Sequence, residues 1–549
     1  MKKLFIAIFA LFLLFVLVGC NNTPTPTPDD NPGGNTDNPG GNTDNPGGET
    51  DNPGGETDNP GGNTDNPGGN TDNPGGNTDN PGGGKTRKTV ITYCNWNFGT
   101  EEENNLTRRR VEAFNKQSTT VRIELITPVE GTSYDEFLAT LAAGGELPDV
   151  FMVNSVPTAV INQWALDITS IASADAEWTD IPEALRDSIT YNGHIFAVPA
   201  GQYYMGLFAN LDLIDDYLIG NKTAEEMFAP GEFTTEEWIK VVKGMRDINH
   251  QDGTGVIGMN AVGDMINWLP ATLDTTGKTK HFTWNGSSFD FRSEALLDAF
   301  RIIADLGDKN SQYVFDSIPA TEGEGDDLKE VRSLIFGQGG AADVFLNGQM
   351  GFIQEGSWAG TFENTDFNCI FTSYPDKRVI AATDFMCISK SSKNPELAYE
   401  VAKFLTFGAA GAQAMFDIID NNPDAELSVT CIPLNTKKEI SDKWFTYIKM
   451  NGLQEVFDAV NEGKVEVIVE GNKTVPGFLK ARYTFNTGIS IDGVREGSLL
   501  TIGDFIWDTC GGSISINDYL SNMSADLAKR INDLVKADFI AMGLEYPEE

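Results

Sequence analysis

The chain of 549 residues is long enough for three or four average domains, or for fewer large ones. It is 40% hydrophobic and 22% charged, so most of it can bury a core, and 80 acids against 39 basic residues leave a formal charge of -41. Such a field repels DNA, RNA and anionic lipid surfaces, which argues against a nucleic-acid partner. The only histidines, His194, His250 and His281, lie far apart in sequence. Neither a histidine-based metal site nor a His-dependent triad is expected, and no cofactor is called for.

Lys2 and Lys3 precede an apolar run from Leu4 to Val18 that meets Gly19-Cys20. A positive start, a short apolar stretch and a small residue before the cut describe an export signal, and the run is shorter than the roughly 20 residues of a spanning helix. Leu17-Val18-Gly19-Cys20 resembles the bacterial lipobox. That resemblance implies a lipoprotein signal peptide over 1–20, with Cys20 lipidated and anchoring the mature chain outside the cytoplasm on the bacterial cell membrane. An ordinary signal peptide or signal anchor with an incidental cysteine is the alternative.

Residues 21–87 are low in complexity. A seven-residue unit, Asn-Pro-Gly-Gly-(Asn/Glu)-Thr-Asp, starts at Asn31, and its core recurs every seven residues up to Asn80. It carries no large apolar residue, so burial cannot offset the entropy of ordering it. Proline and paired glycines in every unit forbid a helix. The segment reads as a disordered tether with an end-to-end distance of about 40–50 Å. Gly84-Lys85-Thr86 looks like the end of a phosphate-binding loop, but the motif's first glycine falls on Asp79 and no strand precedes it. Beyond Cys20, the five widely spaced cysteines Cys94, Cys369, Cys387, Cys431 and Cys510 contain no CxxC and read as mostly buried thiols, with a single bridge left open.

The globular part begins at residue 88. Thr89–Tyr93 reads as a buried strand, Glu101–Lys116 as a helix with Leu106, Val111 and Phe114 inward, and Val121–Ile126 as an alternating strand. Tyr134–Ala143 reads as a helix ended by Gly144-Gly145, and Asp149–Val153 as the next strand. This alternation predicts an α/β fold with largely parallel sheets flanked by helices, in which ligands bind beyond the carboxyl ends of the strands. Trp96 and Asn97 after the first strand, and Asn154 after the third, then stand at one rim.

Six further segments follow in order. Leu141–Phe151 (LAAGGELPDVF), Tyr191–Pro199 (YNGHIFAVP), Leu207–Leu213 (LFANLDL), Phe233–Trp238 (FTTEEW), Gly348–Trp358 (GQMGFIQEGSW) and Ile388–Ala398 (ISKSSKNPELA) resemble the motifs of family 1 extracellular solute-binding proteins, the receptors of ABC-type sugar importers. Thr234 with Glu237 would form a capping box. The resemblance implies a two-lobed periplasmic-binding-protein fold of type II, each lobe a mainly parallel sheet with helices, joined by a hinge. It implies lobe 1 over about 88–199 and 376–416 and lobe 2 over about 200–375 and 417–549, an ABC permease as partner, and a monomer that performs no chemistry on its ligand.

A sugar presents hydroxyl edges and apolar faces, so its site needs planar amides or carboxylates around aromatic plates. The candidates are Trp96, Asn97, Asp149, Asn154, Tyr203, Asn260, Trp268, Glu355 and Trp358, the last because the family's GSW tryptophan often stacks on sugar. A polyol phosphate or polyamine as ligand, a secreted glycoside hydrolase built on two carboxylates, and a surface adhesin or sensor are the rival readings.

Overall fold

The computed structural model describes residues 88–99, 105–129, 131–218, 222–324, 327–425 and 427–547. The signal peptide, Cys20 and the repeat tether lie outside the described residues. Nine strands form the main sheet: β1 (Thr89–Cys94), β2 (Val121–Leu125), β3 (Val150–Val153), β4 (Val198–Asn210), β5 (Ile257–Met259), β6 (Met350–Gly356), β7 (Cys369–Thr372), β8 (Arg378–Ile388) and β9 (Glu466–Val469). The helices that matter below are α1 (Leu106–Gln117), α2 (Tyr134–Gly144), α3 (Val156–Ile161), α4 (Thr235–Gly244), α5 (Pro395–Leu405), α6 (Ala409–Asp420), α7 (Lys438–Phe445) and α8 (Ile502–Cys510).

Local chemistry sets the element ends. Ser133 and Thr234 each cap a helix with a reciprocal box, to Glu136 and Glu237, which satisfies amides that the first turn leaves unpaired. The expected box at Thr234 is therefore present. Gly145, with φ 71°, terminates α2 in the left-handed conformation that costs a glycine little.

The sheet order is β2-β1-β3-β8-β4-β6-β5, with β7 also pairing β4 and β9 also pairing β8. β2, β1 and β3 are parallel, and β8 runs against β3. β4 runs against β8, β6 and β7, while β5 is parallel to β6 and β9 to β8. Two strands are thus longer than the rest and shared. β4 begins beside the end of β8 and finishes between β6 and β7, and β8 begins beside β9 and finishes beside β3. Each half is a parallel set joined by one opposed strand, which is β8 in the first half and β4 in the second. The expected α/β class is what this pairing shows, but the sheet is a single mixed one, with four parallel and four antiparallel pairings, because β4 runs against β6, β7 and β8, and β8 runs against β3. Where the two long strands cross, their register slips between Asp384 and Phe385, so that Asp384 faces Gly201 and Phe385 faces Pro199. Ala200 is left over as a bulge, a place where a paired ribbon bends.

The direction of the strands positions the site. β1 and β3 run the same way as β4, so their carboxyl ends point toward the second half. β5, β6 and β7 run against β4, so theirs point back toward the first. Both sets of carboxyl ends therefore face the crossing. α6 packs on α1 and α5, and α7 packs on α6; a small satellite core of Met415, Phe416, Ile440 and Trp444 forms there beside Leu106. The five cysteines after residue 88 are free, four of them buried and Cys431 half-buried.

Candidate functional site

The second half contributes the denser wall. β6 ends at Gly356, opposite Met205 of β4, and the next turn is stitched back to the crossing strand. The Ser357 amide donates to the Tyr204 carbonyl at 2.7 Å, and the Tyr204 amide donates to Ser357 Oγ at 3.0 Å. This presents Trp358 outward, 37% exposed, with its ring lying across Gly356, where any side chain would collide with it. The Tyr203 ring meets it edge-on at 5.7 Å. Glu355 accepts from the Gly356 amide at 2.8 Å. Burial raises its carboxyl above the ordinary value and the charge of Asp264 adds to this, while the Gly356 amide and the Trp358 indole pull it down.

The loop after β5 is tied to the same strand, because the Gln354 amide donates to Asn260 Oδ1 at 3.0 Å. Gln354 Oε1 in turn accepts from the Trp268 indole at 3.1 Å. Trp268 is 1% exposed and stacks on Tyr374 with ring centroids 4.0 Å apart, so it lies in the layer beneath the wall and props it from behind. The Tyr374 hydroxyl is buried without a hydrogen-bond partner, within reach of the Asp264 and Glu355 charges. Asp264, beside Arg482, and Asp316, beside Arg332, are themselves exposed.

The first half brings Trp96 and Asn97 to the end of β1. Trp96 is half-buried and held edge-on by Tyr134 at 5.0 Å, and exposed Asn97 donates its amide to Asn95 Oδ1. Asn154, after β3, is exposed and donates to Asp135 at 3.0 Å. Asp149 precedes β3 and so stands at the opposite end of that strand from Asn154. One of its oxygens accepts from the Thr92 amide (2.9 Å) and hydroxyl (2.8 Å), and the other from Ser392 at 2.6 Å, which makes it a lock between β1, β3 and the turn after β8. The structure therefore brings Trp96, Asn97 and Asn154 to one rim, and Tyr203, Asn260, Glu355 and Trp358 to the other. It keeps Asp149 and Trp268 in supporting positions.

Three features escaped the sequence reading. Asp384, at the crossing, forms an ion pair with Lys473 at 2.8 Å, and neighbouring Glu470 is raised by burial. Asp264 lies close enough to act on Glu355, and Trp507, 53% exposed, lies over the adjacent Gly263. A solvent-facing tryptophan in an otherwise amphipathic helix was the available signal for Trp507.

Facing strand ends, a bent pair of crossing strands and aromatic plates beside carboxylates define a receptor fold that encloses a solute. Residues 109–428, more than half of the chain, match the bacterial extracellular solute-binding protein family, and the chain belongs to that family. No curated protein sequence matches it. Among solved structures it is similar to a sugar transporter from Rhizobium etli in an open conformation, at 14% identity and a TM-score of 0.55, covering 82% of this chain and 99% of that one. It is also similar to the cyclic alpha-maltosyl-1,6-maltose binding protein from Arthrobacter globiformis, at 15% identity and a TM-score of 0.53, covering 82% and 100%. A third is an ABC substrate-binding protein from Listeria monocytogenes in complex with cycloalternan, at 17% identity and 0.50, covering 84% and 100%.

Proposed function

We propose that the protein is a carbohydrate receptor that captures a sugar between two closing lobes and delivers it, unaltered, to an ABC permease, as a monomer held to the cell membrane through Cys20. The observation that carries this reading is Trp358, an exposed indole lying across Gly356 with Glu355 beside it. An aromatic plate takes the apolar face of a pyranose while carboxylates and amides take its hydroxyls. The similar structures, a sugar transporter, a cyclic alpha-maltosyl-1,6-maltose binding protein and a substrate-binding protein in complex with cycloalternan, support the same ligand class. Trp96, Asn97, Asn154, Tyr203 and Asn260 complete the grip, with Asp149 and Trp268 fixing it from behind. The packing of α6 and α7 on α1 supports a lobe 1 of about 88–199 and 376–449, extending past the boundary near 416 expected from the sequence. Lobe 2 then takes the remainder. A ligand that touches both walls favours the closed form by its differential affinity.

Calorimetry against a glycan panel of one to six rings tests the reading. A member of the panel should bind, and Trp358→Ala should weaken it by about 1–3 kcal/mol through lost stacking and area. Scattering should show the protein contracting with the same ligand. Flat heats across the panel would remove the carbohydrate assignment and return glycerol phosphates and polyamines to consideration.

A further inference from the structure

Trp507 sits in α8, is 53% exposed, and lies over the backbone of Gly263. A methyl group on Gly263 would stand 2.5 Å from the far edge of its ring. Large apolar side chains at the surface are ordinary one at a time. Here, however, the arrangement repeats the one at Trp358, the other exposed tryptophan among the described residues, which lies across Gly356 in the same way. In both, the next polar group along the glycine's loop or strand is a carboxylate: Asp264 follows Gly263, and Glu355 precedes Gly356.

The two units belong to one surface. The loop that carries Gly263 and Asp264 is tied to the end of β6 through Asn260 and the Gln354 amide, one residue before Glu355. The charge of Asp264 acts on the Glu355 carboxyl, and both charges act on the fully buried hydroxyl of Tyr374. α8 is fixed relative to this loop by its own capping box at Thr501 and Asp504 and by packing against the 3-10 turn of Gly263–Asn267.

We infer that Trp507, Gly263 and Asp264 form a second sugar-stacking subsite beside the one at Trp358, so that the ligand is an oligosaccharide long enough to lie on both indoles. This inference rests on the carbohydrate reading above. Each indole offers a flat apolar face of pyranose size with an acceptor for the hydroxyls at its edge. One ring occupies one plate only. Affinity therefore rises with chain length until the second plate is covered.

The experiment is calorimetry of the wild-type protein and Trp507→Ala against the best-bound sugar series from the glycan panel, taken ring by ring from one to six. The expected result is that Trp507→Ala binds the single ring as the wild type does and loses about ten-fold or more in affinity for the longest members. Equal affinities for wild type and variant at every length would overturn the subsite while leaving the carbohydrate receptor intact. Equal losses at every length, single ring included, would also overturn it, because Trp507 would then act on the site as a whole. No binding by the wild type to any member would overturn the carbohydrate reading and this inference with it. A second measurement does not depend on the folding of Trp507→Ala. In Trp96→Phe/Trp358→Phe, where Trp507 is the remaining tryptophan of the two walls that is exposed, a saturating long sugar should reduce acrylamide quenching and a single ring should not. Unchanged quenching at saturation would overturn the subsite.

Discussion

Glu355 and Trp358 stand on either side of Gly356, and their neighbourhood fixes the protonation of the first as much as the exposure of the second. Burial raises the Glu355 carboxyl above its ordinary 4.5, so the folded protein holds a proton that the unfolded chain gives up. Such a contribution to stability is complete below about pH 4.5 and is lost as the pH rises through the raised value. Glu355→Gln keeps the acceptor for the Gly356 amide and removes the titration. It should be more stable than the wild type at pH 7.5 by on the order of 1 kcal/mol, with the gap closing toward pH 4. Melting curves at the two pH values check this; a gap independent of pH would refute the assignment. At this scale the sequence singled out Trp358 and Glu355, because they end a legible strand inside a familiar motif. Asp264 and Trp507 were hidden, since their partnership arises only when α8 folds over a loop far upstream in the chain. Asp149 and Trp268 stood beside legible motifs too, but their depth and hydrogen bonds are properties of neighbours that sequence order does not list side by side.

β1 to β3 were read nearly residue for residue, because strict alternation or continuous apolar runs mark buried strands. α1 starts at Leu106, later than the expected Glu101, because Asn105 caps it by accepting from the Arg108 amide. The tail after residue 435 was legible only as mixed structure. Its strand β9 is short, and its turn around Lys480–Thr484 is a π-helix, which has no sequence period of its own. β4 is the element on which both halves depend, and its tightest point is Gly206. A Cβ there would lie 2.9 Å from the Phe371 ring and closer still to the Thr372 carbonyl of β7. Gly206→Ala should cost about 1–3 kcal/mol by forcing β7 away, seen as a lower melting temperature in calorimetry. An unchanged melting temperature would show that the pair of strands can part without penalty.

One continuous hydrophobic core runs through the residues of both halves, from Ile91 to Met542. The two halves are therefore joined by a bend within a shared sheet. If Cys20 is the lipid anchor, Cys20→Ser should move the protein from the membrane fraction to the soluble one when cells are fractionated; continued sedimentation with membranes would defeat that assignment. The long strand β8 completes the sheet of the first half, yet it follows β4, β5, β6 and β7 in the chain. Read in the order of synthesis, neither half is whole when its first strands leave the ribosome. β3 has no neighbour on one side until Phe385 arrives, so the sheet of the first half closes only after the strands of the second have been made.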